Sequence, residues 1–97
     1  MRTLVKFSLE TAAGNAAIKS GELAKLIAST LEKLKPEAAY FTTDDGRRMG
    51  FMVFDMKEPS EIPGIAEPWF MATNAKVEFS PVMTAEDVKT GLERAFG

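Results

Sequence analysis

At 97 residues the chain suits a single domain covering residues 1–97, and a domain of this size buries only a modest core. The net charge is −2, from 12 basic and 14 acidic residues. The basic residues are scattered, which argues against the basic stripe of a nucleic-acid-binding protein. There is no histidine and no cysteine, so disulfides are excluded and the usual ligands of zinc and haem are missing.

The N-terminal apolar run, residues 1–7, is interrupted by Lys6 and lacks the core of a signal peptide. No apolar stretch approaches the roughly 20 residues that span a bilayer. We therefore expect a cytoplasmic protein with neither a membrane nor a nucleic acid as partner.

The first half of the chain predicts a strand followed by a broken helix. Residues 3–9 alternate between apolar and mixed positions, as in a half-buried strand, and residues 10–15 contain turn-forming residues. From about residue 15 to 35, apolar residues recur at helical spacing. Glycine disfavours helix, so Ser20-Gly21 predicts a break, and Pro36 ends the helix.

A hairpin follows. Residues 38–43 and 48–56 predict the second and third strands, and Asp45-Gly46 between them is typical of a tight turn. A second helix is predicted for residues 61–73, capped by Ser60. Pro68 should kink or split this helix.

The chain ends with a fourth strand and a further helix. Asn74 stops the second helix, and residues 76–82 alternate as a strand in which Pro81 favours an edge position. Thr84 then caps a C-terminal helix whose apolar stripe is Val88, Leu92 and Phe96. This helix either packs on a partner as an exchanged arm or covers its own subunit.

The order of elements predicts an α+β fold of the ferredoxin-like β-α-β-β-α-β type, with antiparallel sheet order 4-1-3-2 and an extra C-terminal helix. Strand three is apolar on both faces, whereas the helices can cover only one. The two sets are Met49, Phe51 and Val53 on one face and Met52, Phe54 and Met56 on the other. An uncovered apolar face of this size favours a second copy of the sheet as its cover, which would pair two chains into a homodimeric barrel.

Several local features resemble the dimeric α+β barrel superfamily, and most closely one of its small bacterial branches of unassigned function. They are Asp45-Gly46 in the hairpin, Gly50 in strand three, Asp55 with Pro59, Trp69, and Val77-Glu78-Phe79 followed by Pro81-Val82-Met83. The resemblance implies a homodimer. The wider superfamily includes antibiotic-biosynthesis-type monooxygenases, muconolactone isomerases, stress-responsive proteins and haem-dependent chlorite dismutases, so it implies no single chemistry.

The best acid–base candidates are Lys6, Glu78, Tyr40 and Glu67. Lys6 and Glu78 should be neighbours on the face away from the helices, with Ser8 beside them. A carboxylate in a partly dry cavity can act as a base. A simple cross-strand ion pair is the favoured interpretation, because such pairs are common.

Aromatic and methionine residues predict an apolar ligand cavity, although core packing and a dimer interface are the favoured interpretation. The complete set of cavity candidates is Lys6, Ser8, Tyr40, Met52, Phe54, Glu67, Trp69 and Glu78. No catalytic residue is assigned and no metal or cofactor is expected. Arg47-Arg48 at the hairpin could meet an anion, but a solvated turn is the favoured interpretation, as it is for Asp44-Asp45-Gly46.

Three functional hypotheses remain. The first is a homodimer that binds a small apolar or aromatic molecule between its sheets. The second is a cofactor-independent isomerase or monooxygenase in which Glu78 or Lys6 carries the proton. The third is an interaction module without a ligand. Histidine is the usual proton carrier near neutral pH, so its absence favours the first hypothesis over the second.

Overall fold

The structure is a computed structural model that describes residues 1–97. It consists of an antiparallel four-stranded sheet, three helices and a single 3-10 turn on one face, and a separate C-terminal helix. The strands are β1 (Arg2–Ser8), β2 (Ala38–Asp44), β3 (Arg47–Asp55) and β4 (Lys76–Pro81). The helices are α1 (Thr11–Ser20), α2 (Glu22–Leu34), α3 (Ile62–Thr73) and α4 (Ala85–Phe96), with the 3-10 turn at Pro59–Glu61.

The sheet order is β2-β3-β1-β4, which is the predicted order read from the opposite edge. The α+β class, the sheet order and the extra C-terminal helix are therefore confirmed. β4 lies at an edge, where the missing N–H of Pro81 costs no ladder hydrogen bond.

The core lies between the sheet and α1–α3. Alternate residues of the two central strands point into it, led by Val5 and Phe7 from β1 and by Met52 and Phe54 from β3. Trp69 of α3 stacks on Phe7, with ring centroids 4.1 Å apart and an angle of 23° between the planes. Such offset aromatic pairs add to the stabilisation that burial alone supplies.

Two turns have the backbone geometry that their sequences predict. Asp45 and Gly46 have φ angles of 52° and 74°, as the two central residues of a type I′ hairpin turn require. Gly21, with φ of 81°, separates α1 from α2 at the predicted break.

The loop predicted for residues 10–15 is wrong, because α1 begins at Thr11. The Gly14 N–H donates to the Glu10 carbonyl, 2.8 Å away, as part of the first helical turn. A Cβ at Gly14 would lie 2.8 Å from Arg48 Nη1. This glycine provides space for a neighbouring side chain and does not form a turn.

The cap predicted at Ser60 is also wrong. Glu58 precedes the 3-10 turn and exchanges capping hydrogen bonds with Glu61, and α3 starts only at Ile62. Thr84, in contrast, caps α4 as predicted and shares a reciprocal pair of hydrogen bonds with Asp87.

Pro68 does not split α3, which is continuous from Ile62 to Thr73. Proline has no N–H, so the carbonyl of Gly64, four residues earlier, loses its helical donor. Lys33 Nζ of α2 donates to that carbonyl instead, at 2.8 Å. A neighbouring helix thus satisfies the group that Pro68 leaves free.

Candidate functional site

The eight predicted cavity residues do not share one face. Lys6, Ser8, Tyr40 and Glu78 lie on the face of the sheet opposite the helices. Met52, Phe54 and Trp69 lie on the helix side and are almost fully buried in the core. Glu67 is exposed on α3.

The assignment of Met52 and Phe54 to a space between two sheets is therefore corrected. In an alternating strand, residues 52 and 54 must face opposite to residues 51 and 53. The helices of the same chain already cover Met52 and Phe54, so they cannot also meet a partner sheet. Substitution of either residue by aspartate would therefore destabilise the core and would not report on a dimer interface.

The face of the sheet away from the helices is called here the open face, and it centres on Leu4, Lys6, Tyr40, Phe51, Val53 and Glu78. The register pairs Leu4 with Val53, and Lys6 with both Phe51 and Glu78. The Tyr40 and Phe51 rings lie 5.8 Å apart. The β2–β3 half of the open face is thus apolar and aromatic, whereas the β1–β4 half is polar.

Lys6 and Glu78 form a cross-strand ion pair, with Lys6 Nζ 3.8 Å from Glu78 Oε2. The two side chains are 42% and 67% exposed. Solvent therefore reaches both charges, and an exposed pair of this kind contributes little to stability. Nothing in this chain alone provides the partly dry surroundings that would turn Glu78 into a general base.

A different concave site lies on the helix side of the sheet, at the end where α2 passes over the β2–β3 hairpin. We call it the helix-side pocket. Its volume is about 260 Å³, and its walls include Leu9, Leu23, Ile27, Phe41, Arg48 and Trp69. Of the predicted cavity residues, only Trp69 belongs to it.

Two glycines shape the helix-side pocket. A Cβ at Gly50 would lie 2.8 Å from the Phe41 ring, so the bare backbone of β3 lets that ring lie across it. Gly14 similarly leaves room for the guanidinium of Arg48. The pocket wall therefore depends on the absence of side chains at these two positions.

Arg48 is the only charged residue of the helix-side pocket. Its Nη2 donates to Asn15 Oδ1 at 2.8 Å, and its Nη1 lies 3.5 Å from the Thr11 carbonyl oxygen. No carboxylate lies within ion-pairing distance of it. The guanidinium thus sits beside an apolar cavity, held by neutral groups that leave its positive charge uncompensated.

Trp69 forms the wall between the pocket and the core. Its Nε1 donates to Thr30 Oγ1 at 3.0 Å, and that hydroxyl donates to the Leu26 carbonyl at 2.8 Å. Every buried polar side-chain atom of the chain is hydrogen-bonded. This chain of two hydrogen bonds fixes the indole plane against α2.

The sequence interpretation missed most of the pocket. It favoured a solvated turn for Arg48, although Arg48 lies two residues after the hairpin turn, within β3, and is partly buried. One signal was present: alternation within β3 places Arg48, Gly50 and Met52 on the same face. A glycine between apolar strand residues signals a close approach of another group.

The clearest pKa shift lies outside the helix-side pocket. A hydrogen bond from Lys57, and a second from the N-terminal ammonium group, lower the pKa of Asp55 to about 2. The group is exposed at the end of β3, where it joins the chain terminus to the following loop. It is a surface ion-pair cluster at the end of the sheet and does not line the helix-side pocket.

No cluster of acidic side chains is positioned to bind a metal ion, and none of the helices is long and apolar enough to cross a membrane. The sequence matches no protein-family model and no curated protein.

Proposed function

We propose that this protein binds a small apolar molecule with an anionic group in the helix-side pocket. The observation that carries the proposal is the isolated guanidinium of Arg48 at the wall of an apolar cavity of about 260 Å³. An apolar cavity of about 150 Å³ already holds a benzene ring, so one or two fused rings fit here. The apolar walls would bind the rings, while Arg48 would bind a carboxylate.

The proposed function is binding without catalysis. The pocket contains no acid, no histidine and no thiol, and its one ionisable residue is an arginine, which stays protonated. The cofactor-independent isomerase or monooxygenase remains an alternative in which the open face supplies Lys6 or Glu78. The exposure of both groups favours the binding protein over that alternative.

The test uses 2-naphthoate as the probe and 2-naphthalenemethanol, which carries no charge, as its matched ligand. Titration calorimetry on the wild-type chain should show tighter binding of the carboxylate. Arg48→Gln should weaken 2-naphthoate binding about 10-fold or more, because hydrogen bonds to charged groups are worth about 1.5–3 kcal/mol. The same substitution should leave the affinity for the alcohol nearly unchanged.

Arg47→Gln is the control variant, since Arg47 is the adjacent arginine, is exposed and does not line the pocket. It removes the same charge and should leave 2-naphthoate binding within about twofold. If both variants lose affinity equally, long-range charge explains the effect and the pocket does not. Absence of binding of either probe to the wild-type chain would defeat the proposal.

We also propose that two copies pair through their open faces as a cytoplasmic homodimer. The supporting observation is the apolar β2–β3 half of the open face, where Phe51 and Val53 lie beside Leu4 of β1 with no helix over them. Pairing would cover these side chains and bring Lys6 and Glu78 into a more enclosed space. Without a ligand, the same dimer would be the interaction module that is the third hypothesis. The molar mass in solution, measured by light scattering, tests the pairing.

A further inference from the structure

Helix α4 has an apolar stripe that this chain does not cover. Val88, Leu92 and Phe96 are 40%, 54% and 87% exposed, and no residue of α4 belongs to the core or packs against it. The Cα radius of gyration is 15.4 Å. A compact domain of this length has a radius near 12.5 Å. The helix is therefore an arm that projects from the domain.

The arm is a well-formed helix that lacks a packing partner. Its first turn is fixed by the capping box of Thr84 and Asp87. A helix of 12 residues is nonetheless marginal in water unless its apolar face is buried. Gly91, in the middle of α4, makes the free energy of helix formation less favourable by about 1 kcal/mol relative to alanine. Nothing in the chain lies within 4 Å of a Cβ built there, so no contact within the chain accounts for the glycine.

We propose that α4 packs antiparallel against α4 of a second copy, with the two helices crossing at Gly91. Val88, Gly91, Leu92 and Ala95 follow the i, i+3, i+4, i+7 spacing of a single helix face. A glycine at the crossing lets the helix backbones approach closely, and the Leu92 side chains then cover the glycines. This face, which includes Val88 and Leu92 of the stripe, thus meets the same face of a second copy around a two-fold axis.

Charges beside the stripe select the antiparallel direction. Lys89 and Glu93 lie along one side of the stripe, and Asp87 and Arg94 lie along the other. Residues 89 and 93 are equally distant from Gly91, so a two-fold axis there places Lys89 beside the partner's Glu93. It likewise brings Asp87 close to the partner's Arg94. Both contacts join opposite charges.

A parallel pair of α4 helices would instead bring like charges together. In a parallel helix pair, facing side positions lie about five residues apart and come from opposite sides of the stripe, with the residue on the Asp87 and Arg94 side coming first, which brings Asp87 close to the partner's Glu93. That contact joins like charges and is unfavourable. The self-complementary pattern favours a second copy of this chain over an unrelated protein as the occupant of the stripe.

The arm contact rests on the homodimer proposed above. Two crossed helices, each roughly 18 Å long, bury less than the roughly 1,200–2,000 Å² of a stable interface. The arms would therefore add a second contact to a dimer that the open faces already hold together. One two-fold axis serving both contacts closes the assembly at two copies.

The chain contains no cysteine, which makes single-cysteine cross-linking specific. Leu92→Cys places a thiol in the stripe near the proposed axis, and Glu86→Cys places an equally exposed one on the opposite side of α4 as the matched control. With a short bis-maleimide reagent, Leu92→Cys should form covalent dimers at least about five times more readily than Glu86→Cys. Equal yields at the two positions would overturn the proposal.

A charge exchange tests the direction of pairing. In the Leu92→Cys background, Lys89→Glu should lower the yield of covalent dimer several-fold, because it faces the partner's Glu93. Adding Glu93→Lys restores opposite charges and should restore the yield. Failure of this second substitution to rescue the yield would contradict the antiparallel pair.

Light scattering on the same wild-type and variant samples separates this inference from the proposed homodimer. A wild-type chain that is a dimer, with no preference for cross-linking at residue 92, would defeat the arm contact alone. A wild-type chain that is a monomer and does not cross-link would defeat both.

Discussion

The hydroxyl of Thr30 shows how one polar side chain can permit the burial of a large aromatic ring. It accepts a hydrogen bond from the indole of Trp69, which is only 2% exposed, and donates one to the helix backbone. Without the hydroxyl, the indole N–H would be buried with no acceptor. An unsatisfied buried donor is costly because it has lost its hydrogen bond to water.

We expect Thr30→Val to reduce the free energy of unfolding by about 1–3 kcal/mol, which is the cost of leaving the Trp69 N–H unpaired. The substitution preserves the shape of the side chain, so little packing is lost. Urea denaturation followed by circular dichroism measures the change. Thr30→Ser, which keeps the hydroxyl and removes a methyl group, should be the milder variant; a larger loss for serine than for valine would contradict this explanation.

At the scale of elements, α3 shows how a helix tolerates an internal proline. The Gly64 carbonyl, which Pro68 leaves without a helical donor, is on the exposed side of the helix and accepts from Lys33. The sequence predicted a kink or a split, and the split is wrong. The spacing of residues within one helix gives no information about a donor from another helix. Only the packing of α2 against α3 brings Lys33 into reach.

We expect Pro68→Ala to raise the free energy of unfolding by about 1–3 kcal/mol, because alanine restores the helical hydrogen bond and has the higher helix propensity. Pro68 is exposed, so the substitution creates no cavity. A double-mutant cycle with Lys33→Gln provides the control. Lys33→Gln should cost up to about 1 kcal/mol in the wild-type chain and close to nothing in the Pro68→Ala background. Equal costs in both backgrounds would rule out the contact.

The elements that the sequence predicted well are those whose signals are local. Alternation identified the two faces of β3, and Asp45-Gly46 identified the hairpin turn. Gly14 was misinterpreted because glycine occurs both in turns and where a neighbouring side chain packs closely against the backbone. At Gly14 that neighbour is Arg48. The helix-side pocket was missed because its residues come from four separate regions of the chain.

At the scale of the whole molecule, the domain leaves two apolar surfaces uncovered, the open face of the sheet and the stripe of α4. The core is complete without either of them. Their exposure therefore does not reflect a poorly packed domain. Both surfaces are ones that the proposed homodimer would cover.

We expect Phe51→Asp to reduce the molar mass in solution from that of a dimer to that of a monomer, because it buries a charge at the centre of the proposed sheet contact. The side chain lies outside the helix-side core, so the variant should remain folded. Light scattering measures the mass, and circular dichroism confirms the fold. Thr43→Asp, at an exposed position near the hairpin and on the other face of β2, is the matched control and should remain a dimer.

Trp69 is the only tryptophan in the chain, and it lies where the core meets the helix-side pocket. Its stacking on Phe7 and its hydrogen bond to Thr30 hold it in one environment. All indole fluorescence of the protein therefore comes from this single ring. Without any added label, the fluorescence of this tryptophan would therefore report the unfolding of the core, and it would also report binding of a quenching aromatic molecule in the proposed site.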